Sequence, residues 1–323
     1  KRGVRMSKIG IGLYGSNGHQ IHPRMLEGLN AYIAGVCDYT YGDVDPSVPV
    51  YDSFGEMLKD GKIQLVTICS GVRRNQGDEI LSAIRAHKHV FAEKPSAMDI
   101  GQLDAILRLA EENHVIFCEM AGVMYDKPYN KAKEIVESGV LGRIVQVFVQ
   151  KSYPYHDRRP QNEDIDGGLI EQCAIYGMRF IEHIAGQRIV SIDAIETSLG
   201  NPVADGGLKM AAAINMRLES GGIATVIANY LNQPGTKIWG NEEVRIFGVN
   251  GFLRTNPFHN TVEVYTKDNA AVYETESEPS LFAHLVDCIS NGKPFPFRPY
   301  ELTRPTRLAI LAKHTALAKE ITK

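Results

Sequence analysis

Residues 9–22 read IGIGLYGSNGHQIH, and the register in which those glycines are taken decides what the N-terminal third of the chain becomes. Taken literally, Gly10-x-Gly12-x-x-Gly15 spells the dinucleotide-binding fingerprint, but it leaves only RMSKI as the strand, with Arg5 and Lys8 interrupting the apolar run. The shifted register Leu13-x-Gly15-x-x-Gly18 makes IGIGL the strand and YGSNG the turn, with Gly15 where backbone must approach a pyrophosphate and Gly18 near the start of a helix. Pro23 favours the shift. Inside a helix begun at Gly15 it would cost about 3 kcal/mol, whereas in the first turn of a helix begun near His22 it forfeits no hydrogen bond. Asp38 supports the same reading: it ends the second predicted strand roughly 20 residues beyond the glycines, where a carboxylate can accept both hydroxyls of an adenosine ribose. An unphosphorylated ribose is implied, hence NAD, with NADP less favoured; Tyr39 and Thr40 leave a mixed preference open.

Outward from this turn, QLVTICS (64–70), HVFAEKP (89–95) and VIFCEMA (115–121) are short apolar runs of the kind buried on both faces of a parallel sheet. Between them RMLEGLN, SFGEMLKDG, GDEILSAIRAHK and DIGQLDAILRLAEENH place apolar residues at helical spacing, with Asp99 placed to cap the last. This alternation predicts an α/β domain, a Rossmann doubly wound parallel sheet over 1–122. The texture then changes. IVQVFVQKSY, VSIDAIETSL, KMAAAINMRLES, GIATVIANYL, EVRIFGVNG and TVEVYTK follow one another as strands, with SGG (220–222) and VNG (249–251) as hairpin turns and one helix (170–186) interrupting. An α+β domain with a large, mostly antiparallel, open-faced sheet is expected over 123–299, and a C-terminal helix over about 300–323 is expected to pack back on the first domain.

With 323 residues, 44% hydrophobic and 23% charged, the chain has room for two cored domains. A net charge of -3 gives no electrostatic reason for nucleic acid or an anionic membrane as partner, which leaves a small molecule. Five cysteines without a C-x-x-C pair suggest neither a disulfide framework nor a metal site, and a cytoplasmic location is expected. Met6 is expected near the native start.

A strand ending in Glu93-Lys94-Pro95 within a Rossmann-like domain, then KAKEIVESGVLGRIVQV and a glycine pair opening the interrupting helix, resembles the glucose-fructose oxidoreductase/inositol dehydrogenase (Gfo/Idh/MocA) family over nearly the whole chain. The resemblance implies that Lys94 lies between nicotinamide and substrate hydroxyl. Independently, a cation at the carboxyl end of a parallel strand faces the ligand crevice. Where the family commonly has a first turn glycine this chain has Leu13, and where it often has T-P-N and a histidine it has Gly71-Val72-Arg73 and Gln76. Cofactor contacts are expected from Tyr14, Gly15, Ser16, Asn17, Gly18, Asp38, Ser70, Gly71, Arg73, Gln76, Glu93 and Lys94. Arg73 or Arg74 would meet a phosphate or be solvated loop cations.

Against the family pattern G-G-x-x-x-D-x-G-x-H-x-x-D, the stretch from Gly167 places Gln172, Tyr176 and Arg179 at the aspartate, histidine and last aspartate positions. Their spacing puts all three on one helical face. Lys94 and Tyr176 are the expected catalytic pair, Tyr176 moving the proton and a cation such as Lys94 favouring its phenolate. Gln172, His156 and Arg158 are expected to bind substrate with them; the polar segment 151–166 reads equally as an exposed loop without a ligand. Trp239 is placed over a sugar or at an interface. The expected function is NAD(H)-dependent hydride transfer at a secondary alcohol or ketone of a sugar, inositol or related polyol, without a metal, in a homodimer or homotetramer. The alternatives are a non-enzymatic NAD-binding regulator of the same fold, and a glycosidase or lyase using tightly bound NAD for transient oxidation.

Overall fold

The computed structural model describes residues 8–256 and 258–318, so Arg5 and Met6 lie outside the described residues. The chain divides into two compact units: Lys1–Ala121 with Asp164–Asp166 and Pro279–Arg304, and Gly122–Glu163 with Gly167–Glu278 and the chain from Pro305.

The first unit holds β1 (Ile9–Tyr14), β2 (Ala31–Cys37), β3 (Leu65–Ile68), β4 (His89–Ala92) and β5 (Phe117–Glu119), parallel throughout and ordered β2-β1-β3-β4-β5. β1 is buried from Ile9 to Leu13 and β3 along its whole length, and the helices of this unit include α1 (Phe54–Lys59), α2 (Gln76–Arg85) and α3 (Ile100–Glu112). Leu103, Ile106 and Ala110 of α3 are buried, and its first turn is closed by Asp99, which accepts from the Gln102 amide at 2.9 Å. Strand order reverses at β1, so the ligand crevice lies outside the carboxyl ends of β1 and β3. The helix expected after the glycine turn is instead a four-residue 3-10 helix, Pro23–Leu26, with Pro23 in its first position. Gly28, at φ 78°, turns the chain towards β2 after one turn, so no α-helix has room to form.

The second unit opens with α4 (Tyr129–Glu137) and builds an eight-stranded sheet from β6 (Ile144–Ser152), β7 (Ile189–Thr197), β8 (Ala211–Leu218), β9 (Ile223–Asn229), β10 (Asn241–Gly248), β11 (Gly251–Asn256), β12 (Thr261–Thr266) and β13 (Ala270–Glu274). Its order is β13-β12-β11-β10-β6-β9-β8-β7, antiparallel except for β6 and β9. Gly221, at φ 87°, makes the β8–β9 turn. On one face Val147, Val149, Val226 and Ile214 are buried; on the other Val145, Ile223 and Ile195 are exposed. The interrupting helix spans Leu169–Ile184 and is not uniform: α5 (Ile175–Arg179) is flanked by π-helical Leu169–Ala174 and Phe180–Ile184. Gly177 faces Val226, and a Cβ there would collide with the valine side chain.

Beyond the sheet, α6 (Leu281–Asn291) belongs to the first unit, and α7 (Pro299–Ala318) divides, joining the second unit from Pro305. Beyond that, Lys313 is bonded to Glu163 and Glu196, and Thr315 accepts from the Ala194 amide at 3.0 Å. Among the described residues no helix is long and apolar enough to cross a membrane, and no cluster of ligating side chains could hold a metal ion.

Candidate active site

The carboxyl ends of β1 to β4 bring together much of what the sequence singles out in the first unit. Gly15 directly follows β1 at φ 72°, its amide donating to the Cys37 carbonyl at 3.0 Å; a Cβ there would collide with the Cys69 carbonyl at the end of β3. Gly18, at φ 125°, sits against the Glu93 carboxylate, 2.7 Å from where its Cβ would be. Both glycines are therefore required by neighbouring protein groups as well as by backbone conformation. Leu13, standing where the family has glycine, is the fully buried penultimate residue of β1, so the turn begins only after Tyr14. Gln20 secures that turn: its amide donates to the carbonyls of Tyr14 (2.9 Å) and Gly15 (3.0 Å), while its oxygen accepts from Thr67 (2.6 Å). The sequence reading missed Gln20, although a buried glutamine between a glycine turn and a proline was visible as an amide in need of partners.

Glu93, 1% exposed, accepts from the His19 backbone at 2.7 Å and lies 3.0 Å from the His19 ring nitrogen. Burial alone would raise its pKa; His19, Lys94 and Arg73 overcome that and hold the carboxyl well below the usual carboxylate range. Lys94 is 2% exposed, its ammonium 3.7 Å from Glu93, so it is not a solvated strand-end lysine. Gln76, at the family's histidine position, donates to the carbonyls of Glu93 (2.6 Å) and Pro95 (2.9 Å) and thus shapes the exit of β4.

Of the two readings of Arg73, burial removes one. At 2% exposure it is not a solvated loop cation, and its guanidinium is committed to Gln76 and to the Asn17 carbonyl at 2.5 Å. Asn17 in turn donates to the Ile165 carbonyl at 2.7 Å, tying Asp164–Asp166 to the glycine turn. Arg74 pairs with Asp164 at 2.9 Å. Tyr14 stacks on Phe54 and donates to Glu79 at 2.8 Å; burial and that carboxylate push its pKa well up. Ser70 is buried, its hydroxyl donating to the Val72 carbonyl at 2.8 Å, whereas Gly71 is exposed. Asp38 is exposed immediately after β2, and the Ser16 hydroxyl accepts from the Thr40 amide at 2.8 Å. An exposed carboxylate beside the turn suits a ribose diol, so these residues fit the adenosine half of a dinucleotide. With no first α-helix, turn amides without an α-helix terminus are what this turn would offer to a dinucleotide's phosphates.

In the second unit Gln172 and Tyr176 are half-buried and Arg179 is 1% exposed. The guanidinium of Arg179 lies 5.5 Å from the Tyr176 ring centre, and the ammonium of Lys151 lies 3.9 Å from it. His156 stacks with Trp239 at 5.8 Å, and Tyr153 lies 6.2 Å from the same indole, which is 60% exposed. Arg158 is exposed; Arg159 is buried against the Tyr230 ring at 3.8 Å. The polar segment thus contributes His156 to an aromatic group and leaves Arg158 in solvent.

Two family matches cover most of the described chain. Residues 8–120 match the oxidoreductase family with an NAD-binding Rossmann fold, and residues 129–254 match the GFO/IDH/MocA C-terminal domain. The chain is a GFO/IDH/MocA oxidoreductase. Among relatives of this GFO/IDH/MocA protein, the myo-inositol 2-dehydrogenase of Thermotoga maritima is 21% identical over 274 residues, 82% of this chain and 79% of that one. The scyllo-inositol 2-dehydrogenase (NAD(+)) of Bacillus subtilis is 23% identical, covering 74% and 71%. An aldose-aldose oxidoreductase from Caulobacter crescentus, solved with glycerol, has the same fold at TM-score 0.82 and 18% identity, covering 98% and 99%.

Proposed function

We propose that this GFO/IDH/MocA oxidoreductase is an NAD-dependent dehydrogenase acting on a secondary alcohol of inositol, a sugar or a related polyol. The observation that carries the reading is Lys94: an ammonium 2% exposed, beside a carboxylate, just beyond the carboxyl end of β4. Keeping a cation dry costs several kcal/mol, which a purely structural strand end has no need to bear. NAD, when bound, supplies the hydride acceptor. Asp38 accepts from the ribose hydroxyls, and its negative charge opposes a 2′-phosphate, favouring NAD over NADP. Gly15, Ser16, Asn17 and Gly18 line the phosphates. Lys94 orients the substrate hydroxyl and polarises it; Tyr176 takes the proton as the hydride leaves carbon, and returns it in reduction. Gln172 and His156 hold neighbouring hydroxyls, and Arg158 remains available to an acidic substituent.

Support for the substrate class comes from relatives named for inositol oxidation. Self-association as a dimer or tetramer is supported by the sheet face carrying exposed Val145, Ile195 and Ile223 and the stacked rings of Phe247, Phe252 and Tyr265. A reducing, cytoplasmic setting is consistent with five cysteines that form no disulfide. The test is nicotinamide reduction by wild-type protein and Lys94→Ala with myo-inositol, scyllo-inositol and aldoses. Polyol-dependent reduction that Lys94→Ala abolishes while NAD affinity persists is the expected result; binding of NAD without reduction by any polyol would favour a regulator.

A further inference from the structure

β6 presents Val147, Val149 and then Lys151 to its buried face, so period-2 alternation delivers an ammonium where the strand otherwise delivers valine. Lys151 is 2% exposed. Its ammonium lies 3.9 Å from the centre of the Tyr176 ring and 4.4 Å from that of Tyr153. Directly opposite on β10, Glu242 forms an ion pair with it, and the second oxygen of Glu242 accepts from the Tyr129 hydroxyl at 2.8 Å. Gly240 leaves room for the pair, since a Cβ there would come within 3.2 Å of the Lys151 ammonium.

A methionine or leucine would fill this space without the desolvation penalty of a buried charge. What the charge adds is specific to the ring above it. A cation over an aromatic face attracts a neutral phenol through its quadrupole, and attracts a phenolate more strongly because the negative charge spreads into the ring. Titratable and charged groups around Tyr176 in this unit include Lys151 and Tyr153 from β6 and its continuation, Arg179 from its own helix, Tyr129 from α4, and Glu242 through Lys151. Two of them are cations, and Glu242 is directed to Lys151.

We propose that Lys151 is a positioning residue for Tyr176: held by Glu242, its ammonium fixes the phenol ring and favours the phenolate that receives the substrate proton. The proposal rests on the acid–base reading of Tyr176 given above. When the alcohol is oxidised its O–H and C–H bonds break as C=O forms, and its proton makes a new O–H bond on the Tyr176 oxygen, NAD when bound being what would accept the hydride; the phenol then gives that proton to water.

The test reads Tyr176 directly, with neither substrate nor cofactor. Phenolate absorbance is titrated for paired proteins, each with and without Tyr176→Phe, and the difference within a pair isolates one tyrosine. The pairs carry Lys151, Lys151→Arg, or the double change Lys151→Met/Glu242→Gln, which leaves no unpaired buried charge and so keeps the fold testable. The Tyr176 midpoint is expected to rise by about 1–3 pH units in the double variant and to stay with wild type in the arginine variant. Equal midpoints in the lysine and methionine backgrounds would overturn the proposal, and the acid–base reading would survive if Tyr176→Phe still lost turnover with myo-inositol and NAD. A shifted midpoint with full turnover in Tyr176→Phe would instead overturn the acid–base reading, and the catalytic part of the proposal with it.

Discussion

Glu93→Gln removes one charge without removing an atom's worth of volume, and it probes the strand exit on which the glycine turn depends. The carboxylate accepts from the His19 backbone at 2.7 Å, touches its ring nitrogen at 3.0 Å and faces Lys94 at 3.7 Å, all around a group 1% exposed. The amide removes the negative half of the buried pair, and breaking a buried pair from one side costs about 3–5 kcal/mol. At roughly 2–4 °C per kcal/mol, unfolding of the first unit should fall by about 10 °C. The pH dependence has a definite sign. Because the folded pKa of Glu93 is depressed, its contribution is complete above the ordinary carboxylate value of 4.5 and declines as pH falls below it. The gap between wild type and variant, measured by calorimetry, should be constant from neutrality to about pH 5 and then narrow by about 1.4 kcal/mol per pH unit. An unchanged melting temperature, or a gap as wide in acid as at neutrality, would refute the assignment. His19→Ala keeps the backbone donor and loses only a mostly exposed ring, so it should cost below about 1 kcal/mol.

Asp38→Ala should weaken NAD by about 1–3 kcal/mol in calorimetric titration, the cost of leaving hydroxyl partners unmatched, and should narrow the preference over NADP. Tyr176→Phe should lower kcat by roughly 100- to 10,000-fold with NAD affinity nearly unchanged; wild-type turnover would assign the ring to packing. Trp239→Ala, which removes the partner of His156 and Tyr153, should raise KM for polyols more than it lowers kcat, as expected for loss of uniform binding.

The parallel sheet was legible because strands buried on both faces read as unbroken apolar runs, and the shifted register because Pro23 and the charges before Ile9 exclude the literal one. The first helix was misread because RMLEGLN has helical spacing, and spacing does not reveal that Gly28 ends the segment after one turn. The burial of Arg73 was not legible for a different reason. Gln76 is a local partner, but the Asn17 carbonyl, 56 residues away in sequence, meets the guanidinium only through tertiary structure, so a loop arginine gives no local sign of burial. The π-helical turns around Tyr176 were hidden because a change from i→i+4 to i→i+5 hydrogen bonding alters the residue pattern little over so short a segment. The small β13 at the sheet edge was missed because none of its residues is buried and its sequence, AAVYE, shows no alternation of apolar and polar residues. Lys151, by contrast, was readable in principle: it is the charge that continues the Val147, Val149 alternation onto the core face.

Hydride transfer to NAD from a polyol is the central claim, and single-turnover nicotinamide reduction tests it most directly. Protein in excess over NAD, mixed with myo-inositol and scyllo-inositol in turn, should form reduced nicotinamide in amounts that scale with NAD and vanish in Lys94→Ala. Saturating NAD binding by calorimetry, with no reduced nicotinamide from any inositol or aldose in that same mixture, would contradict it.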